Sequence, residues 1–327
     1  MERRAFVLAT AGCLLAAPFA AAGQPVGKVW RIGRLSPSLR ETDAPLLDAF
    51  RKGMREFGWI DGQTFTVEDR FAEGRSERLP TLAADLVRQH VDVILAGSVP
   101  GALAAKNATA TIPVVMVATG DPIGSGLVVN LARPAGNLTG VTGLGQELNA
   151  KRLEVLKGAV QRLSRVAVLT NPTSAYTGPF LKEREGLARD LGVRLRVLEV
   201  DGPDGLKTAF ATMARERAGA LMVLTDIMFI THRRTIVELA ARHRLPAVYG
   251  EREYVNDGGL MCYGANLEEM YRRAAFYVDR ILKGVRPADL PIEQPTKFDL
   301  VINLKTARAL GLTIPPSLLQ RADQMIE

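Results

Sequence analysis

The sequence predicts an α/β protein with two similar lobes, each with a doubly wound parallel sheet, joined by a hinge that the chain crosses three times. Three observations predict this fold. Short apolar runs alternate with amphipathic stretches, the alternation starts again halfway along the 327 residues, and a third, differently patterned segment follows. Strands that alternate with helices form parallel sheets covered on both faces, and the length suffices for two such domains.

The first half of the chain carries the first series of elements. Apolar runs of strand length are separated by stretches with helical periodicity. The predicted strands span residues 29–35, 65–71, 91–96 and 113–117, and the predicted helices span 46–57, 79–89 and 102–108. This order predicts one complete α/β unit.

The second half repeats this order. The predicted strands span 165–170, 194–200, 220–224 and 246–249, and the predicted helices span 180–191, 205–214 and 233–242. Similar strands begin at Arg31 and Arg165, which are 134 residues apart. Similar segments at the C-terminal ends of helices begin at Arg55 and Arg189, at the same spacing. A repeated offset of this kind indicates two copies of one unit.

The last 64 residues complete the two lobes. They contain a predicted amphipathic helix at 266–283, a segment at 285–295 with three prolines, a predicted edge strand at 298–303 and a helix at 304–310. We expect the chain to cross between lobes near 141–144, near Tyr263 and near 291–296. Lobe 1 is then 28–142 plus 264–292, and lobe 2 is 143–263 plus 293–327. Such lobes enclose a cleft that can hinge shut on a ligand.

The first 23 residues have the layout of a secretory signal peptide. Arg3 and Arg4 precede an apolar stretch that ends in small residues. This pattern predicts cleavage near residue 23 and export to the periplasm. The paired arginines also fit a twin-arginine signal, so both export routes stay open. Cys13 has threonine instead of leucine three positions before it, and we therefore expect no lipid anchor there.

Composition argues against several classes of function. The formal net charge is +7, no run of five basic residues occurs, and aromatic residues make up only 6%, so we expect no nucleic-acid surface. The histidines and Cys262 lack the spacing of metal ligands. The sequence contains no G-x-S-x-G, no phosphate-loop motif and no H-E-x-x-H. We therefore expect no cofactor, no metal and no enzymatic activity.

Small polar residues occupy the predicted carboxyl ends of the strands in both halves. Ligands of open parallel sheets bind beyond these ends, where helix N-termini offer free N–H groups. The candidate ligand-binding residues are Ser36, Ser98, Thr119, Asp121, Asn171, Tyr176, Asp226 and Tyr254. Each polar one can instead serve only as a helix cap, and the two tyrosines, which offer walls for an apolar group, can instead be loop packing.

The chemistry of these residues fits a ligand with both charges. We expect Ser98, Thr119 and nearby backbone amides to hold an anionic group. Asp121 or Asp226 would hold a cationic group, and Asn171 and Tyr176 would contact the ligand from lobe 2. The sequence therefore predicts a zwitterion in the cleft.

Motifs spread over the chain carry a resemblance to a known family. They are the leader, Gly120-Asp121-Pro122 with Gly124, residues 131–134 with 136–140, Asn171-Pro172, and three tail segments at 277–284, 294–298 and 301–307. The tail segments are the most specific. Together they resemble the ABC-transporter substrate-binding proteins that include the tryptophan-binding lipoproteins, over essentially the whole chain after the leader.

The resemblance implies a type I periplasmic-binding-protein fold and an ABC importer, with its permease subunits, as partner. The cargo of the better-known members is an aromatic amino acid. Carried over by position, the cleft loops are those with Ser36, Ser98, Asp121, Asn171 and Asp226. The chain departs from the family pattern in lacking a good lipid-attachment motif, and it has few aromatic residues near the cleft.

The doubled lobes and the resemblance together predict a monomeric, exported solute-binding protein of an ABC importer. Its cargo would be a small molecule such as an amino acid or a related organic acid. Two alternatives stay open. An exported two-domain α/β enzyme would need Asp121 and Asp226 to converge in the cleft, and a ligand-sensing subunit of a membrane receptor would share the fold and differ in its partner.

Overall fold

The computed structural model describes residues 28–143, 148–174 and 177–327. The predicted leader and Tyr176 lie outside these residues. Within them the chain forms a five-stranded and a seven-stranded sheet with helices packed against them. No helix in these three ranges is long and apolar enough to cross a membrane.

The chain first builds a wholly parallel sheet. In chain order the elements are β1 (Trp30–Ser36), α1 (Arg40–Glu56), β2 (Phe65–Phe71), α2 (Leu79–Arg88), β3 (Val93–Gly97), α3 (Ser98–Ala108), β4 (Val114–Thr119) and β5 (Leu138–Thr142). The strand order is β2-β1-β3-β4-β5. Every residue of the inner strand β3 is buried, because helices cover both faces of the sheet. That burial explains its uninterrupted apolar sequence.

The same arrangement then recurs. The elements are α4 (Asn149–Ala159), β6 (Arg165–Thr170), α5 (Thr177–Asp190), β7 (Arg194–Glu199), α6 (Gly205–Arg215), β8 (Ala220–Val223), α7 (Ile227–Thr231), α8 (Arg233–Arg242), β9 (Ala247–Tyr249), α9 (Arg252–Asn256) and β10 (Met261–Ala265). These strands lie in the order β7-β6-β8-β9-β10, which is the order of the first sheet. The predicted fold class of two similar doubly wound lobes is therefore confirmed.

The tail contributes to both lobes. It contains α10 (Leu267–Leu282), β11 (Phe298–Asn303), α11 (Leu304–Ala309), α12 (Pro316–Leu319) and β12 (Gln324–Ile326). Helix α10 packs against α1 and the first sheet, whereas β11 and β12 extend the second sheet. The prediction of an edge strand at 298–303 is wrong, because β12 pairs with β11 beyond it. Strand β11 also runs antiparallel to β10, so this sheet is not wholly parallel.

The chain passes between the two sheets three times. The passages lie between Thr142 and Asn149, between Ala265 and Leu267, and between Glu293 and Phe298. Strands β5 and β10 lead into the first two passages. The first and third passages are joined, because the Thr142 amide donates to the Glu293 carbonyl at 2.8 Å. The two lobes therefore share one hinge at the β5 side of lobe 1.

Helices α1 and α10 approach closely at Gly53. A Cβ atom at position 53 would lie 2.5 Å from the Arg272 carbonyl oxygen and 2.8 Å from the Ala275 Cβ. Real Cβ atoms do not tolerate such distances to backbone. The absence of a side chain at Gly53 is therefore what lets α10, although distant in sequence, complete the core of lobe 1.

We predict that Gly53→Ala lowers the free energy of unfolding by about 1–3 kcal/mol, because the added methyl group overpacks the contact between α1 and α10. The measurement is urea denaturation of residues 24–327. Gly186→Ala is the matched control, since Gly186 lies within α5 with nothing within 4 Å of the added methyl group. It should be neutral or stabilise by up to about 1 kcal/mol. Equal stability of Gly53→Ala and wild type would contradict the close packing.

Candidate functional site

Both sheets place their switch point at the carboxyl ends of two neighbouring strands. In the order 2-1-3-4-5, ligands bind where the first and third strands diverge. In lobe 1 these ends carry Ser36 and Ser98, and in lobe 2 they carry Asn171 and Asp226. Four of the predicted residues thus lie at the two switch points.

Asn171 and Asp226 are in direct contact at the switch point of lobe 2. The Asn171 amide nitrogen donates to Asp226 Oδ1 at 3.1 Å, and the Met228 backbone amide donates to the same oxygen at 2.9 Å. Burial raises the pKa of the Asp226 carboxyl, although these hydrogen bonds oppose the shift. The Asn171 side-chain oxygen accepts from the backbone and hydroxyl of Thr173. Both side chains are thus committed to local structure.

Two predicted hydroxyl groups of lobe 1 are turned into the protein. Ser36 is buried, and its Oγ accepts from the Ser38 amide at 3.2 Å. Thr119 is fully buried, and its Oγ1 donates to Met116 Sδ at 3.3 Å. The expectation that the Thr119 hydroxyl holds an anionic group is therefore wrong for this conformation, because the hydroxyl is already bonded within lobe 1.

Asp121 lies at the surface of the loop after β4. Its Oδ1 accepts from the Ile123 amide at 3.0 Å and from the Gly124 amide at 2.8 Å. The carboxylate therefore closes its own turn, in the manner of an Asx turn. Asp121 is exposed and held by its own loop, whereas Asp226 is held by α7 and Asn171.

Ser98 begins α3 in a left-handed conformation, with φ at 65°. Non-glycine residues adopt such angles at a cost of about 1–3 kcal/mol and often at functional positions. Its Oγ is 3.5 Å from the Gly101 amide, and its side chain is partly exposed. Ser98 is therefore partly exposed at the switch point in a strained conformation, and its contact with a ligand stays a prediction.

The predicted wall formed by Tyr254 is wrong. Its ring is 1% exposed and stacks on Tyr249 with the centroids 4.3 Å apart, inside the apolar core of lobe 2. The ring is therefore part of the core and offers no surface to a cleft. Tyr176, the other predicted wall, lies outside the described residues.

Three residues that the sequence analysis did not select surround a space between the lobes. Arg152, Thr225 and Glu251 come from lobe 2, and Ala118, Leu267 and Met270 face them from lobe 1 and the second passage. The space between them measures about 420 Å³ when the part open to solvent is included. The space thus has a charged side and an apolar side.

The charged side of this space is tightly organised. Arg152 Nε donates to the Tyr263 carbonyl at 2.8 Å, and its terminal nitrogen donates to Asn149 Oδ1 at 3.0 Å. A Cβ at Gly250 would lie 2.7 Å from Thr225 Oγ1 and 2.9 Å from the Arg152 guanidinium. Glycine at position 250 therefore allows the end of β9 to pass between these two side chains.

Glu251 is a titratable group in this space whose pKa is strongly shifted by its surroundings. Burial raises its pKa to about 7, and the smaller effects of the Arg152 guanidinium and of a hydrogen bond with Thr225 oppose the shift. A carboxyl group that changes charge near neutral pH in a cleft is a candidate functional group. The sequence signal for it was its position directly after β9, where Tyr249-Gly250-Glu251 ends a strand.

The lobes also touch far from the hinge. Gly74 follows β2, which is the edge strand farthest from the three passages, and Thr231 ends α7 in lobe 2. A Cβ at Gly74 would lie 3.0 Å from Thr231 Oγ1 and 3.1 Å from its methyl carbon. The two lobes are therefore in contact on both sides of the space that Arg152 and Glu251 line.

Comparison with known proteins identifies the architecture. The chain is 25% identical to the tyrosine-binding protein of Clostridioides difficile over 273 residues, which cover 82% of this chain and 78% of that protein. It superposes with a TM-score of 0.84 on the ABC domain of Streptococcus pneumonia in complex with L-Trp, at 25% identity, over 91% of this chain and all of that one. A conserved domain protein of Vibrio cholerae gives the same TM-score and coverage at 24% identity.

These likenesses confirm the type I periplasmic-binding-protein fold. The family model described as ABC transporter substrate binding protein matches residues 40–326, which is most of the chain. The match begins after β1 and includes the rest of lobe 1, lobe 2, all three passages and the residues around the interlobe space. The chain therefore belongs to the ABC transporter substrate-binding protein family.

Proposed function

We propose that the protein is an exported solute-binding protein that captures an amino acid or a related organic acid between its lobes and delivers it to the permease subunits of an ABC importer. The leader at 1–23 directs it to the periplasm, where it acts as a monomer without a lipid anchor. Lobe 1 comprises 28–142 plus 264–292, and lobe 2 comprises 143–263 plus 293–327.

One observation carries the proposal: the space between the lobes joins opposite charges to an apolar surface. Arg152 and Glu251 supply the charges, and Leu148 and Met270 supply apolar contacts. Small-molecule sites are mostly apolar with a few precisely placed polar groups. An α-amino acid combines a carboxylate, an ammonium group and a side chain in one small molecule, and these groups complement the two charges and the apolar surface. A tyrosine-binding relative and a relative solved with L-Trp support the same class of cargo.

Affinity in such a protein depends on closure, because the ligand is enclosed only when both lobes reach it. The contact between Gly74 and Thr231 limits how far the lobes can close. A ligand that binds the closed form shifts the equilibrium toward it by its difference in affinity for the two forms. The close contact between Gly74 and Thr231 is therefore part of the proposed binding mechanism.

We predict that an amino acid raises the melting temperature of residues 24–327 in a thermal-shift screen against amino acids, organic acids, sugars and nucleosides. A ligand that binds only the folded state adds about 2.7 kcal/mol of stability at one hundred times its Kd. A shift confined to sugars or nucleosides would contradict the proposed cargo class, and a shift with organic acids alone would narrow it.

We predict that Gly74→Ala weakens binding of the amino acid found in that screen by about three- to tenfold, because the added methyl group meets Thr231 before closure is complete. Titration calorimetry measures the change. Gly62→Ala is the matched control, since Gly62 has φ at 77°, close to the 79° of Gly74, but nothing lies within 4 Å of an added Cβ.

The double variant Gly74→Ala/Thr231→Ala separates closure from backbone strain. Removing the Thr231 hydroxyl and methyl groups leaves its Cβ 3.5 Å from the new methyl group, which is ordinary contact. The double variant should therefore recover most of the affinity. If Gly74→Ala and Gly62→Ala lose affinity equally, the contact between the lobes plays no part in binding.

A further inference from the structure

Glu251 lies at the carboxyl end of β9 and begins the turn into α9. It is the N-cap residue of α9, yet its side chain makes no capping hydrogen bond within the described part of the chain. The ordinary explanation of a polar residue at this position, satisfaction of the first helical amides, therefore does not apply. Glu251 lines the interlobe space together with Arg152 and Thr225.

Three carboxylates follow strands near the cleft, and they differ in what already holds them. Asp121 accepts two amides of its own turn. Asp226 accepts the Asn171 amide and the N-terminal amides of α7. Among the described residues, Glu251 makes no side-chain capping bond to α9, and its pKa responds to the nearby Thr225 hydroxyl and Arg152 guanidinium. Of these three, Glu251 is therefore the one whose oxygens are not committed to the turn or helix that carries it.

The charges around Glu251 do not neutralise it. Arg152 on α4 attracts it, but this guanidinium also donates hydrogen bonds to the Tyr263 carbonyl and the Asn149 side chain. Asp226 before α7 and Glu253 on α9 repel it. Glu251 also lines a second space whose other charged residues are Arg252 and Glu253 on α9, Glu268 on α10 and Asp299 on β11. The apolar side chains of Leu267 and Met270 on α10 line the interlobe space. Burial of the Glu251 carboxyl outweighs the attraction of Arg152, so a further cation would stabilise the ionised form.

We propose that Glu251 binds the ammonium group of the cargo and thereby restricts the cargo to molecules with a primary amine. The inference rests on the proposed function and names the group that recognises one end of the ligand. Thr225 positions the carboxylate, and the apolar side of the space receives the side chain of the amino acid. Deaminated acids of the same shape leave the carboxylate unpaired and bind less tightly.

The protonation of Glu251 gives this contact a distinctive pH dependence. In the free protein the raised pKa, about 7, means that the carboxyl is mostly protonated at pH 6 and mostly ionised at pH 8. An ammonium group binds the ionised form, so binding releases a proton as pH falls below 7. Affinity for an amino acid should therefore fall about tenfold from pH 8 to pH 6. A deaminated acid should show no such fall.

The test is titration calorimetry of wild type and Glu251→Gln at pH 6 and pH 8. The probes are L-tyrosine and L-tryptophan with their deaminated counterparts, 3-(4-hydroxyphenyl)propionate and 3-indolepropionate. We expect wild type to prefer the amino acid at least tenfold at pH 8. In Glu251→Gln we expect this preference to narrow to threefold or less, and the pH dependence of amino-acid binding to disappear.

Two controls separate recognition from folding. Glu253→Gln changes a neighbouring carboxyl that does not line the space between the lobes, and it should keep the wild-type preference. Ligand-free Glu251→Gln should melt at or above the wild-type temperature at pH 8. Because the folded-state pKa of Glu251 is raised, its ionisation lowers stability as pH rises toward 7, and the glutamine variant lacks that loss.

The outcomes distinguish this inference from the proposed function. If wild type binds an amino acid and Glu251→Gln keeps the preference and the pH dependence, the role of Glu251 is overturned and amino-acid capture stands. If wild type binds only the deaminated acids, the role of Glu251 is likewise overturned. If wild type binds none of the probes and no amino acid in the thermal-shift screen, both are overturned.

Discussion

The three passages of the chain between the sheets determine how the two lobes are arranged. Because the passages lie at one side of both lobes, the carboxyl ends of β4, β8 and β9 come to one shared space. Helix α10 fixes the arrangement from lobe 1, since it starts directly at the second passage and packs on α1. A space lined by both lobes follows from this connectivity, and each lobe alone would present only half of it.

Close backbone contacts then give that shared space its shape. Glycine at position 250 lets β9 end between Thr225 and Arg152, and glycine at position 74 lets the far rims of the lobes meet. The chemistry of the space comes from side chains that local structure leaves available. Glu251 illustrates this, because its side chain makes no capping hydrogen bond to α9 within the described residues and its burial works against its charge. Its ionised state is favoured by whatever cation enters the space.

The fold could be predicted from the sequence because burial on both faces produces uninterrupted apolar runs. Strands β2, β6 and β11 begin and end where the pattern predicts, and the offset of 134 residues follows from two copies of one strand order. Strands β5 and β10 were missed, since each has five residues with a glycine and gives little signal. The edge position predicted for β11 failed because the three-residue β12 is too short to predict.

The site could be predicted only to the level of strand ends. The direction of a side chain depends on local backbone geometry, which the pattern of apolar and polar residues in the sequence does not reveal. At the end of β4, Ala118 has φ at 54° and the register with β5 shifts between Val117 and Thr119. Past this irregularity the Thr119 hydroxyl faces Met116. Arg152 was missed because α4 has almost no amphipathic pattern, so the helix that carries it was not predicted.

We propose that the cargo lies between the lobes with its ammonium group on Glu251. A crystal structure of the chain with its bound amino acid is the decisive measurement. We expect the ligand between Ala118 and Arg152, with its nitrogen at hydrogen-bond distance, about 2.7–3.2 Å, from a Glu251 oxygen. A ligand held within one lobe, or an ammonium group on Asp121 or Asp226 instead, would contradict it.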